Sequence, residues 1–241
     1  MTLCALQVVD SVHANGSYIF LQLWALGRAT DPDKLKAENP SFDLVGPSEI
    51  PISSQRPTPR ALTVDEIKTY VQWYADAADR AIDKAGFDGV ELHFANGYLP
   101  DQFLQDVSNE RSDEYGGSIE NRVRFPLEII KAVSKAVGQD RVGFRISPWS
   151  RWQGMGMEDP EPTFSYLVSQ AKEKYPDLAY LHVIENADGI ESNKFLRKIW
   201  GDKAFIAAGG YTPQTALETV NTDGGLVAFG RDYISNVRFC H

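Results

Sequence analysis

The sequence predicts an α/β protein of the (β/α)8 TIM-barrel class, incomplete, forming one partial barrel domain over residues 1–241. Three observations carry that reading. Short runs rich in apolar, β-branched and aromatic residues alternate with amphipathic stretches, the order that gives parallel strands joined by helical crossovers. No Gly-x-Gly-x-x-Gly follows the first run, so a dinucleotide-binding doubly wound sheet loses its main support. The last two runs end in glycine turns, as do the phosphate-holding loops after barrel strands seven and eight.

The elements follow in order. MTLCALQVVDSVHANG reads as the tail of a helix, and SYIFLQLW (17–24) as the first strand present. Residues 25–62 read as a long loop. Thr63 with Glu66 forms a capping box, after which Ile67, Tyr70, Val71, Tyr74, Ala78, Ala81 and Ile82 share one helical face, with Gly86 as C-cap. GVELHF (89–94) is the next strand; the helix from Ser118 then repeats Ile119, Val123, Leu127, Ile130, Val133 and Val137 before Gly138. VGFRISP (142–148), a weaker helix over 160–175, AYLHVIE (179–185) and AFIAAG (204–209) follow. A helix opens at Thr212 with Pro213 in its first turn, and LVAFGR (226–231) is the last strand. Counting back from the two glycine turns makes these six runs barrel strands three to eight, with strands one and two missing.

Composition bounds the function. A formal charge of -9 with no basic stripe speaks against nucleic-acid binding, which needs clustered Lys and Arg. Cys4 and Cys240, at opposite ends, offer neither a disulfide framework nor a cysteine metal site. No window approaches the roughly 20 apolar residues that span a bilayer, and the N-terminal run lacks the basic flank of a signal peptide. A soluble, cytoplasmic protein is expected, with no membrane partner and no metal.

Strand parity sorts the side chains, since alternate residues face the lumen or the helices. Ile19, Leu21 and Leu23 suit the helix side, which turns Gln22 and Trp24 inward. By the same alternation Glu91, His93 and Arg145 face inward. Gln22, His93 and Arg145 therefore point into the lumen near its C-terminal mouth, where barrel active sites sit. Gly209–Gly210 and Gly230–Arg231 add a phosphate cradle. Each polar residue alone reads equally well as a satisfied structural group; together they make a site for a phosphorylated cofactor or substrate. A lyase or isomerase acting on a phosphorylated metabolite stays open at this point. His182 reads as a structural lumen residue, the stretch 113–122 as a salt-bridged loop and helix start, and His13 and His241 as non-catalytic.

HFANGYLPDQFLQDVSNERSDEYGGSIENRVRF (93–125), FLQLWALGRA (20–29), FRISPWSRWQGMGMED (144–159) and AFGRDYISN (228–236) closely resemble the fungal-type Old Yellow Enzymes, FMN-dependent NADPH dehydrogenases and ene-reductases. The resemblance spans Val8 to Asn236. It implies FMN as cofactor, NADPH as hydride donor, and reduction of the activated C=C bond of an α,β-unsaturated carbonyl or nitro compound. His93 and Asn96 would be the donors to the carbonyl or nitro oxygen, and Tyr98 the acid that protonates the α-carbon. Gln22 would hold the flavin pyrimidine edge and Arg145 would sit beside N1 and O2. Gly209, Gly210, Gly230 and Arg231 would hold the phosphate, with Trp24 a wall of the substrate pocket. The partners implied are small-molecule enones or related electrophilic alkenes, with a homodimer as the candidate assembly. Against the family pattern the chain lacks the first two strands and the C-terminal segment, has a shorter stretch after Glu185, and carries NVRFCH (236–241) in place of Asn-Pro-Asp-Leu. The competing expectation is a truncated, non-catalytic fragment that binds FMN weakly or not at all.

Overall fold

A computed structural model describes residues 2–185 and 193–236. The chain order is α1 (Thr2–Ala14), β1 (Phe20–Leu23), α2 (Pro32–Glu38), β2 (Val45–Gly46), β3 (Arg60–Ala61), α3 (Val64–Asp83), β4 (Gly89–Phe94), α4 (Leu99–Leu104) and α5 (Ile119–Val137). Then come β5 (Val142–Ile146), α6 (Glu161–Lys174), β6 (Tyr180–Ile184), α7 (Lys194–Trp200), β7 (Phe205–Ala208), α8 (Pro213–Asp223), β8 (Leu226–Ala228) and α9 (Arg231–Ser235). Six strands form one parallel sheet in the order β1-β4-β5-β6-β7-β8, and β2 and β3 form a separate parallel pair. These six are the runs that the sequence reading numbered three to eight.

The core lies between this sheet and its helices. Val90, Leu92 and Phe94 of β4, Phe144 and Ile146 of β5, and Leu181 and Val183 of β6 are fully buried, and so are Phe125, Ile129, Ile130 and Val133 of α5 and Phe164, Leu167 and Val168 of α6. Burying each such side chain contributes about 1.5–3 kcal/mol, so this layer fixes which strand face meets the helices. The opposite faces line the lumen. At its base the Phe20 and Tyr180 rings meet with centroids 5.5 Å apart. Gly143 makes room for them: a Cβ there would come within 2.4 Å of the Tyr180 ring.

The N-terminal caps fall where the sequence placed them. Thr63 and Glu66 complete a reciprocal capping box on α3, Ser118 accepts from the Asn121 N–H at the start of α5, and Thr212 caps α8. Gly86 does not cap α3. The helix ends at Asp83 with Lys84 as C-cap, and Gly86, at φ 74°, turns the chain two residues further on.

Residues 25–62 are not one long loop, because they contain a 3-10 turn at Gly27–Ala29, α2 and the β2–β3 pair. Asp31 caps α2 by accepting from the Asp33 and Lys34 N–H groups, but no residue of α2 is buried. It therefore leaves no hydrophobic period to read. The six-residue α4 also escaped, being too short for periodicity although all its residues are buried. The last strand stops at Ala228, and Gly230 and Arg231 belong to the start of α9. No helix among the described residues is long and apolar enough to cross a membrane.

Candidate active site

β4 delivers the densest group of candidates. His93 is 3% exposed and its Nδ1 has no hydrogen-bond partner. Burial, reinforced by the Arg145 charge, pushes its pKa down to about 4, so the ring is neutral at pH 7. The Trp24 ring lies nearly parallel to it at 6.2 Å, and Tyr98 stands edge-on to both, 4.7 Å from Trp24 and 5.0 Å from His93. Trp24 is 54% exposed, an aromatic wall open to solvent on its other side.

Beyond the strand the chain turns through Asn96 at φ 58° and Gly97 at φ 72°. Non-glycine residues rarely adopt the left-handed region, and Asn is among those that do. The Asn96 N–H donates to Ser147 Oγ (2.8 Å) and its carbonyl accepts from Gln153 Nε2 (2.6 Å), which ties the turn to the loop after β5. Gly97 has to be glycine for a second reason: a Cβ there would meet the Gln153 Cβ at 2.8 Å.

A buried clasp in α4 fixes the same turn from behind. Asp101 Oδ2 accepts the Gly97 N–H (2.8 Å), and Asp101 Oδ1 accepts from Gln105 Nε2 (2.9 Å). Gln105 Oε1 in turn accepts the Gly156 N–H (2.9 Å). Gln102 donates to the carbonyls of Gly97 (2.7 Å) and Leu26 (3.0 Å) and accepts the Arg28 N–H (3.2 Å). The Arg28 guanidinium donates to carbonyls of Ile50, Gln153 and Gly154. Three loops at the strand C-terminal ends are thus held in one hydrogen-bonded unit.

The lumen floor carries a second cluster. Gln22 pairs with Glu91 in the register of β1 and β4, and His93, Arg145 and His182 stand abreast on β4, β5 and β6. Gln22 Nε2 donates to Glu91 Oε1 at 2.6 Å, and His182 Nδ1 lies 2.8 Å from Glu91 Oε2. Burial pushes the Glu91 pKa up, but His182, Gln22 and Arg145 outweigh it and hold the carboxyl below its usual range. Arg145 Nε and His182 Nε2 are buried without partners.

The turns after β7 and β8 come off neighbouring strands, Ala208 lying opposite Ala228. Gly209 and Gly210 have φ of 106° and 71°, and nothing lies within 4 Å of a Cβ built on Gly230. The structure therefore brings Gln22, Trp24, His93, Asn96, Tyr98 and Arg145 to one end of the sheet and leaves Gly209, Gly210, Gly230 and Arg231 on the adjoining turns. Arg111, Asp113 and Arg122 are structural: Arg111 pairs with Asp113, and Arg122 donates to the carbonyls of Leu104 and Gly117. His13 pairs with Asp88 at the opposite end of β4 (3.0 Å). Residues 186–192 and 237–241, with His241 and most of the NVRFCH segment, lie outside the described residues.

Sequence reasoning placed Glu91 inward but gave it no part, and missed Asp101, Gln102, Gln105 and Arg28. The signal available was three polar residues, Asp101, Gln102 and Gln105, in a run too short for a solvated helix.

A sequence model of the NADH:flavin oxidoreductase / NADH oxidase family matches residues 5–241. An NADP-dependent oxidoreductase of Aspergillus flavus is 46% identical over 250 residues, covering 95% of this chain and 65% of that protein. A protein of Epichloe festucae var. lolii named a probable inactive reductase is 48% identical, covering 95% of this chain and 64% of its own length. The solved Old Yellow Enzyme from Pichia sp. matches with TM-score 0.89 and 36% identity, covering 98% of this chain and 64% of that one. The chain spans 64–65% of the length of these three proteins. Its six parallel strands form an incomplete (β/α)8 barrel.

Proposed function

The chain belongs to the NADH:flavin oxidoreductase / NADH oxidase family, and from that premise we propose an FMN-dependent NAD(P)H oxidoreductase that reduces the activated C=C bond of α,β-unsaturated carbonyl or nitro compounds. The observation that carries this reading is a neutral, buried His93 beside Asn96 and Tyr98, walled by Trp24. Family membership favours redox chemistry over a lyase or isomerase.

The residues fit the cofactor. Arg145 Nε, His182 Nε2 and His93 Nδ1 are buried without partners on the inward face, whereas Gln22 and Glu91 satisfy each other. A planar ring with alternating donors and acceptors is the kind of ligand that such a floor accepts. Gln22 and Arg145 would hold the ring, and the backbone of Gly209, Gly210 and Gly230 with Arg231 would hold the phosphate. Bound there, FMN would supply two-electron redox chemistry linking NAD(P)H to the alkene.

His93 and Asn96 donate hydrogen bonds to the substrate oxygen, where negative charge builds as the β-carbon is reduced. Such donors contribute about 3–4 kcal/mol each when they are preorganised. A neutral imidazole does this without bringing a charge to be desolvated. Tyr98 gives its phenolic proton to the α-carbon and recovers one from water. Trp24 closes one side of the pocket.

The test is reconstitution. The chain, incubated with FMN and desalted, should retain flavin absorbance and oxidise NADPH in the presence of 2-cyclohexen-1-one. A second reading, a fragment without catalysis, is favoured by the similarity to a protein named a probable inactive reductase. Flavin retention without turnover would select that reading, and no flavin retention would reject the flavin site itself.

A further inference from the structure

Glu91 is 8% exposed and lies at the centre of the lumen floor, between β1 and β6. Its two oxygens are separately engaged, Oε1 by Gln22 Nε2 at 2.6 Å and Oε2 by His182 Nδ1 at 2.8 Å. Burial, and after it the Glu91 carboxylate beside the phenol, raises the Tyr180 pKa. An ionised carboxylate only accepts hydrogen bonds. Gln22 must therefore turn its NH2 toward Glu91, which turns its carbonyl Oε1 away from the carboxylate. A free glutamine amide has no such preference.

The charge of Glu91 has a second effect. Arg145 is the cation of the same floor, in register with His93 and His182, and Glu91 acts on it electrostatically. Glu91 is the carboxylate among basic neighbours, His182 at 2.8 Å and Arg145, and its charge works against that of Arg145. Without the carboxylate the floor would carry an uncompensated positive charge in a half-buried lumen, where charges act more strongly than in water.

On the flavin reading above, we propose that Glu91 is a positioning residue of the cofactor site: it orients the Gln22 amide and, by offsetting Arg145, holds down the reduction potential of the bound flavin. Reduced flavin carries the extra negative charge, so removing the nearby carboxylate favours the reduced form. This role belongs to no residue in the catalytic set, because Glu91 acts through Gln22 and Arg145.

The experiment compares wild type, Glu91→Gln and Glu91→Asp, each loaded with FMN, by spectroelectrochemical titration. Glu91→Gln keeps the size and removes the charge. It should raise the ratio of reduced to oxidised flavin affinity at least tenfold, a positive shift of about 30 mV for a two-electron couple. Glu91→Asp keeps the charge and should stay within threefold of wild type. A companion measurement needs neither flavin nor a variant: side-chain amide hydrogen exchange in the flavin-free chain should be at least fivefold slower at Gln22 than at the exposed Gln55. A flavin-loaded Glu91→Gln chain matching wild type within twofold, or equal exchange at Gln22 and Gln55, overturns this inference alone. A wild-type chain that takes up no FMN overturns the flavin reading and this inference with it.

Discussion

The Asp101 carboxylate, with no solvent exposure, accepts the backbone N–H of Gly97 at 2.8 Å and so holds from below the turn that presents Asn96 and Tyr98. Burial pushes the Asp101 pKa up to about 7 against the pull of the Gly97 N–H, Gln105 and Arg28. A raised carboxyl pKa means that the folded state binds the proton more readily than the unfolded chain. Its stabilising contribution is complete below about pH 4, the ordinary carboxylate range, and is lost as pH rises through about 7. Asp101→Asn should therefore flatten the fall in Tm between those pH values. It should also cost about 1–3 kcal/mol near pH 4, because the new NH2 faces the Gln105 donor, and the difference from wild type should shrink as pH rises. Thermal unfolding followed across the pH range checks both, and an unchanged slope would place the titration elsewhere.

His93→Ala or Asn96→Ala should slow alkene reduction by roughly 10²–10³-fold, the loss expected for one oxyanion donor. Reduction of the flavin by NADPH should lose much less, because no oxyanion develops in that half-reaction. Since the His93 pKa is held near 4, ligand affinity mediated by this ring should be flat from pH 6 to 8. Stopped-flow kinetics of the two half-reactions decide the matter, and equal losses in both would contradict the assignment.

Tyr98→Phe keeps the ring contacts with Trp24 and His93 and removes only the hydroxyl. Alkene reduction should slow, by about 10²–10⁴-fold for loss of a positioned acid, while flavin reduction is spared. Wild-type rates of alkene turnover in this variant would mean that water or another side chain supplies the proton.

The six-stranded sheet ends at β1 and β8. Leu226 on β8 is 59% exposed, and Tyr18 just ahead of β1 is 80% exposed. Unpaired apolar edges template association. The 241-residue chain should self-associate at micromolar concentration by light scattering, and Leu226→Lys should reduce this. A monomeric chain that unfolds cooperatively with stoichiometric FMN would argue the opposite.

The sequence by itself determined the sheet and the direction of its side chains. A parallel strand buried against helices must place apolar residues on alternate positions, so Val90, Leu92 and Phe94 announce that Glu91 and His93 face the lumen. The capping residues Thr63, Ser118 and Thr212 act within one turn of chain, and they too could be read directly. Only the tertiary structure decided the supports of the site. Asp101 holds the nearby Gly97 N–H but is itself held by Gln105. Arg28, Gln102 and Gln105 bind backbone groups of other loops, up to 126 residues away in sequence, and such partners leave no local period. The same holds for Glu91, whose parity was legible but whose two partners come from β1 and β6. Local chemistry writes itself into the sequence as spacing, whereas a hydrogen bond across the fold exists only once the strands have fixed which loops meet.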